Sequence, residues 1–156
     1  MDGKQRLEAF LRDNNIGFQI HHHPEAFTAQ EVAAVEHVPG KLLGKVVVVS
    51  ADDELAMVVL PAPSAVDLEK VAPALGAESV RLAEESEFES HFPGCDTGAM
   101  PPFGNNTLYD VPVVVERTVS EQDQVAFNAC THTDTVHLAY SDFARLVNPT
   151  VADVTD

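Results

Sequence analysis

Apolar and polar positions follow two different periods along this chain, and the switches between them divide it into elements. Leu7, Phe10 and Leu11 recur at the three-to-four spacing of one helical face, and Asn14, Asn15 and Gly17 supply a stop. Phe18 to His22 reads as a short strand. A second helix starts at Thr28, with Glu31 three residues on. That Thr-x-x-Glu spacing is a capping box, in which each side chain satisfies a free backbone N–H of the first turn. Phe27 and Val32 occupy the flanking hydrophobic-staple positions, and the helix is expected to run to about His37, before Pro39.

The period then shortens. Val46–Val49 and Leu55–Leu60 are continuous apolar runs joined by Ala51-Asp52-Asp53-Glu54, which predicts an antiparallel hairpin buried on both faces. Leu68, Val71, Ala72 and Leu75 form a third helical stripe, capped near Ser64 or Asp67 and stopped at Gly76. Pro73 lies inside it, and a proline in a helix interior costs ~3 kcal/mol, so a kink or an early end is expected there. Glu84 to His91 reads as a short acidic helix. From Pro93 to Asp110 there is no period, only Gly, Pro and Asn in density; a loop this long in a compact domain is usually functional or mobile. Strands follow at Val111–Glu116, Gln124–Asn128 and about Thr135–Leu138. A last helix, capped at Ser141, turns Phe143, Leu146 and Val147 inward. Helices set between groups of strands predict an α/β or α+β domain on a mixed, strongly curved sheet.

Composition narrows this little until charge is considered. The chain has 156 residues and an apolar share of 45%, which fits a single globular domain over residues 1–156. No apolar run approaches the ~20 residues of a membrane helix, and the start lacks the layout of a signal peptide. Cys95 and Cys130 are too few and too far apart for a disulfide scaffold or zinc knuckle, so two free thiols in a reducing cytoplasm are expected. Nine basic against 25 acidic residues give a net charge of −16. That balance argues against a broad grip on DNA or any long duplex. It leaves room for a short single-stranded end held by a few local contacts.

Against that background a few residues stand out. Lys45 follows Gly44 and opens the most buried strand, where a lysine partly withdrawn from water can hold a phosphate or oxyanion. The alternative is a snorkelling lysine at a strand end. In Gly98-Ala99-Met100-Pro101-Pro102-Phe103-Gly104, glycines allow close approach to the backbone and the prolines stiffen the loop. Phe103 either stacks on a base or plugs the core, and an ordinary Pro/Gly turn is the bland reading. His132, in Cys130-Thr131-His132-Thr133-Asp134, is either a donor to substrate or a structural histidine. It faces away from His137 on a strand, which excludes a zinc pair there. The run His21-His22-His23 alternates faces, so at most two could converge, and no acidic or Cys ligand lies at a telling spacing. No metal site is expected. Nucleophile elbows, Walker loops and dinucleotide fingerprints are all missing from the sequence, so any catalysis directs water at an already reactive bond.

Taken in order, these pieces resemble the YbaK family, the prolyl-tRNA-synthetase-associated editing domain, from about His22 to Val147. The resemblance is carried by His23-Pro24, by Thr28-Ala29-Gln30-Glu31-Val32-Ala33, by Lys45, by Gly98 and Pro102 of a Gly-x-x-x-Pro loop with the adjoining Phe103-Gly104, and by Cys130-Thr131-His132. It implies a partly barrel-like mixed sheet surrounded by helices. It implies hydrolysis of mischarged aminoacyl-tRNA, typically alanine or cysteine on proline tRNA, in the cytoplasm and with no metal or organic cofactor. By the resemblance, Lys45, Gly98 and His132 would be catalytic, while Thr28, Met100, Pro101, Pro102, Phe103 and Gly104 would line the substrate. The partner would be the aminoacyl-tRNA 3′ end, with a synthetase as a further partner. The alternatives are a non-catalytic binder of tRNA ends or a synthetase, and a hydrolase of another small aminoacyl ester. Two positions depart from the family pattern: Val46 stands where Thr is common, and Cys130 stands where Gly is common.

Overall fold

The computed structural model describes residues 2–37 and 39–156. Helix α1 (Gly3–Asp13) buries Leu7 and Leu11 and ends at Asn14, and strand β1 (Phe18–His22) follows as expected. Helix α2 (Ala29–Glu36) is capped by Thr28, whose hydroxyl oxygen accepts from the Glu31 N–H at 3.1 Å. The reciprocal bond from the Glu31 side chain is not formed among the described residues, so the capping box is half made. Phe27 is not stapled into the interior either: it is 61% exposed, whereas Val32 is buried.

Strands β2 (Gly44–Ala51) and β3 (Glu54–Pro61) form the expected antiparallel hairpin, with Ala51 opposite Glu54. Asp52 and Asp53 between them both take positive φ, 50° and 68°, as a two-residue turn matched to strand twist requires. Helix α3 (Leu68–Leu75) is capped by Asp67 rather than Ser64 and runs through Pro73 to Gly76. The helix continues two residues past Pro73, whose ring forgoes only the bond to the Glu69 carbonyl. Strand β4 (Val80–Leu82) and helix α4 (Glu85–Phe88) lead into a 3₁₀ turn over Glu89–His91. After the long loop come β5 (Val113–Glu116), α5 (Arg117–Ser120), β6 (Gln124–Asn128), β7 (Asp134–Ala139), α6 (Tyr140–Val147) and β8 (Thr150–Ala152). Ser141 lies inside α6 instead of capping it, because β7 passes into the helix without a loop and Ala139 takes the cap position.

The strands divide into two sheets, ordered β1-β7-β6 and β4-β2-β3-β5-β8. The first is antiparallel; in the second, β3–β5 and β5–β8 run parallel. A parallel bridge between Leu43 and Ala126 links the two. The main core lies between them and under α1 and α6, with Met57, Val59, Val115, Phe127, Leu138 and Phe143 at its centre. Leu60 and Val114 pack with Val71 of α3 in a second cluster. A third cluster, of Ala26, Val32, Ala33, Leu43, Ala62 and Ala126, seats α2 over the junction. No described helix is long and apolar enough to cross a membrane.

Residues 93–112 contain neither helix nor strand, as expected, yet they are firmly tied. Asn105 is the main post: its amide donates to the Val147 carbonyl at 3.0 Å, and its side-chain oxygen accepts from the Val113 N–H at 3.2 Å. The cysteines correct the expectation of free thiols. Cys95 and Cys130 are joined as a disulfide, which fastens the loop to the chain beyond β6. Spacing in sequence, 35 residues, gave no hint of this because the loop folds back on itself.

Candidate active site

The junction between the sheets positions the lysine. Where Leu43 pairs with Ala126, β2 and β6 run parallel, and the register carries Lys45 alongside Asn128. Side chains alternate along a strand, so Lys45 and Asn128 project to the side of Leu43 and Ala126, which α2 covers. Val46 and Val48 face the main core, on the other side. Gly44 is required for the approach itself, since a Cβ there would lie 2.7 Å from the Phe127 ring. Lys45 is half-buried, and desolvation draws its ammonium pKa below the usual lysine value, with no carboxylate among the described residues to offset it. The side-chain oxygen of Asn128 is buried and has no hydrogen-bond partner among the described residues.

Gly98 and His132 meet where the long loop crosses the chain beyond β6. The loop pairs with the chain beyond β6 through the Asp96 N–H to the Cys130 carbonyl (2.8 Å) and the Cys130 N–H to the Ala99 carbonyl (2.9 Å). Gly98 takes φ +90°, and a Cβ built on it would lie 3.8 Å from His132 Cε1. Its N–H donates only to the Met100 thioether, at 3.2 Å, a weak acceptor that a ligand oxygen can displace. His132 Nδ1 is buried and unpartnered. The His132 carbonyl accepts from the Ala26 N–H, and the imidazole lies 4.7 Å from the Phe27 ring, which draws the start of α2 to the same place.

The remaining residues of the Pro-Phe-Gly segment lie deeper. Met100, Pro101, Pro102, Phe103 and Gly104 are all buried. Phe103 is fully enclosed between Phe10, Phe127 and Phe143, at 5.5 to 6.2 Å between ring centroids, so its ring is core and is not free to stack on a base. Gly104 serves packing rather than ligand approach, because a Cβ would lie 2.1 Å from the Val111 carbonyl oxygen. The exposed aromatic ring at this site is Phe27, which staple spacing had assigned to packing. Its signal in the sequence was the direct junction with Thr28, which needs an extended backbone at the cap.

Two polar clusters flank the site. On one side of β1, His22 and Lys4 both contact Asp134, at 3.1 and 3.4 Å. Burial would raise the Asp134 pKa, but bonds from Thr131, His22 and Lys4 outweigh it and hold the carboxyl below the usual range. On the other side His137 Nε2 lies 3.0 Å from Glu36 Oε1, and burial draws the imidazole below its usual pKa against the pull of that carboxylate. A broader cleft, lined by Ser50, Asp53, Leu55, Arg81, Glu87 and Asp110, lies at the far end of the β2–β3 hairpin and shares no residue with this ensemble.

Comparison with known proteins identifies the family and the fold. The aminoacyl-tRNA editing domain profile matches residues 23–146. The chain is 30% identical over 155 residues to the multifunctional Ser/Thr-tRNA deacylase ProXp-y of Escherichia coli (strain K12), covering 93% of this chain and 88% of that protein. It is also 30% identical over 122 residues to the proline–tRNA ligase of Lactococcus lactis; that match takes in 78% of this chain but only 19% of the ligase. Identity to the prolyl-tRNA editing protein ProX of Acetoanaerobium sticklandii is 24% over 151 residues, covering 94% of this chain and 92% of that one. The crystal structure of a candidate trans-editing enzyme for prolyl tRNA synthetase superimposes with a TM-score of 0.84 at 18% identity, over 100% of this chain and 98% of that one. This last likeness establishes the fold.

Proposed function

Because the chain belongs to the aminoacyl-tRNA editing domain family, we propose that it frees proline tRNA of a small wrong amino acid, alanine or cysteine, by directing water at the ester. The observation that carries this reading is a set of polar groups without hydrogen-bond or charge partners among the described residues. They are the half-buried Lys45 ammonium, the Asn128 side-chain oxygen and His132 Nδ1. Buried polar atoms are almost always paired, so unpaired ones point to a ligand that completes them.

An aminoacyl ester is activated already, and catalysis of its hydrolysis requires mainly positioning and charge stabilisation. Lys45 holds the phosphate of the 3′-terminal nucleotide, and its partial desolvation strengthens that attraction. Thr28, at the head of α2, and Phe27 flank the terminal nucleoside, with the Phe27 ring as its platform. The Gly98 N–H exchanges the Met100 sulfur for the ester carbonyl oxygen as negative charge develops there. Pro101 and Pro102 back that loop and fix its distance from His132, which contacts the substrate or orients the water. The vicinal ribose hydroxyl assists the water, so no side-chain base is needed. A synthetase that delivers the charged tRNA would offset the repulsion expected from a net charge of −16.

One observation favours a second reading of the substrate. The free Asn128 oxygen is an acceptor, and a serine or threonine hydroxyl would satisfy it. A site that hydrogen-bonds a hydroxyl discriminates by ~10⁴ or more against the analogue lacking it, whereas one methylene is worth only ~1–3 kcal/mol. Deacylation rates for proline tRNA charged with alanine, cysteine, serine or threonine decide between the two. Fastest release of alanine or cysteine supports the first reading, and fastest release of serine or threonine supports the second. Loss of every ester at the buffer rate would remove both.

A further inference from the structure

Three histidines and one glutamate converge beside the Asn128 position in an arrangement that the editing reaction does not use. Gln19 pairs with His137 and His21 with Thr135 across β1 and β7, so His21 and His137 are diagonal neighbours on the face under α2. Their rings stack at 3.8 Å. Glu36, the last residue of α2, reaches down to them, and ligand atoms of His21, Glu36 and His137 all lie within 4.8 Å of one another. We propose that His21, Glu36 and His137 form a binding site for a divalent transition-metal ion of the zinc class.

A second observation points the same way. His23 lies on the same side of the extended chain as His21, with its side chain 2% exposed. Its Nδ1 is 2.7 Å from the Pro24 carbonyl oxygen, while its Nε2 is buried with no hydrogen-bond partner and lies 3.6 Å from Glu36 Oε2. The Glu36 carboxylate is 5% exposed. Its neighbours are imidazoles and the Thr135 hydroxyl, which donates to Oε2 at 2.6 Å; no lysine or arginine pairs with it among the described residues. A buried carboxylate needs a compensating cation, and a metal ion shared with two imidazoles supplies one. Mixed imidazole and carboxylate ligands suit zinc, nickel and copper dications. Ligand atoms around a tetrahedral zinc sit about 3.4 Å apart, so the group must tighten on binding. His21 is the exposed member and can swing inward. Thr135 holds the far carboxylate oxygen, the usual outer support of such a centre, with the His23 imidazole beside it. Occupancy would tie β1 and β7 to the end of α2, the helix whose start carries Phe27 and Thr28.

The site is independent of the editing reading and is tested without tRNA. Zn²⁺ is titrated by calorimetry into untagged protein stripped with a chelator, and melting is followed in parallel. Three variants are compared with the native chain: His21→Ala, His137→Ala, and the neighbouring exposed His22→Ala, whose partner is Asp134. Stoichiometric binding is expected, weakened on the order of tenfold or more by His21→Ala and by His137→Ala and unchanged by His22→Ala. Zn²⁺ should raise the melting temperature of the native chain and of His22→Ala, but not of His21→Ala. Because His21 is exposed, loss of binding in that variant does not reflect misfolding. Equal weakening by His22→Ala would mean a loose grip by the exposed histidine run and would overturn the proposal. Native affinity in the His21 and His137 variants, or no binding by the native chain, would overturn it equally.

Discussion

At Cys130 a side chain occupies torsion space that suits glycine, with φ +71°. The resemblance read from the sequence expects glycine there, and the backbone explains why: the chain must turn for its N–H and carbonyl to pair with Ala99 and Asp96. Replacing the glycine leaves the turn in place and adds the link to Cys95. A thiol reagent applied to the native protein without reductant should find no free sulfhydryl, and should find both cysteines after reduction and unfolding. The two phenylalanines show where residue-level reading stops. Lys45, Gly98 and His132 were singled out by residue type and motif order, and their roles belong to the proposed function. Which ring faces water was not legible, because burial of Phe103 is decided by Phe10, Phe127 and Phe143 from distant parts of the chain. Phe27→Ala is therefore expected to raise KM for charged tRNA severalfold while leaving the melting temperature near native. Phe103→Ala should cost about 3–5 kcal/mol of stability in denaturant titration.

Among the elements, long periodic ones were legible and short ones were not. The β2–β3 hairpin, α1, α2 and α3 follow from apolar spacing and turn chemistry, whereas β4, α5 and β8 span three or four residues and carry no period of their own. What fixes the last of these is a buried acid. Glu116 accepts from the Thr118 N–H and hydroxyl at 2.8 Å each and from the Val154 N–H at 3.1 Å, which ties α5 and the end beyond β8 to β5. Burial would raise its pKa, but these bonds outweigh burial and hold it below the usual carboxylate range. A carboxyl depressed in the folded state contributes stability that is present above its unfolded pKa and lost as pH falls through the folded one. Asp134 acts in the same direction. Urea midpoints should thus fall as pH drops below about 4, and Glu116→Ala should flatten that dependence. At neutral pH the same substitution should cost about 1–3 kcal/mol, since buried N–H donors lose their acceptor.

For the molecule as a whole, the fold class was legible and the division into two sheets was not. The bridge at Leu43 and Ala126 joins them, and nothing in local sequence marks that contact. Yet it is this junction that sets Lys45 beside Asn128 and under α2. Charge acts on the same scale. A net charge of −16 is expected to repel tRNA beyond the proposed site, leaving few phosphates to be gripped. The logarithmic salt slope of binding should be shallow, about −2 for two or three contacts to a single-stranded end. A steep slope would indicate a basic surface that the composition does not provide.

The most direct measurement is single-turnover hydrolysis of mischarged proline tRNA by the native chain and by Lys45→Met, with melting curves of both. Loss of the ammonium should slow hydrolysis on the order of 10²-fold or more. The melting temperature should hold or rise, because a desolvated cation with no carboxylate partner is removed from the folded state. Hydrolysis by Lys45→Met within about twofold of native, with the fold intact, would contradict the assignment of that ammonium to the site.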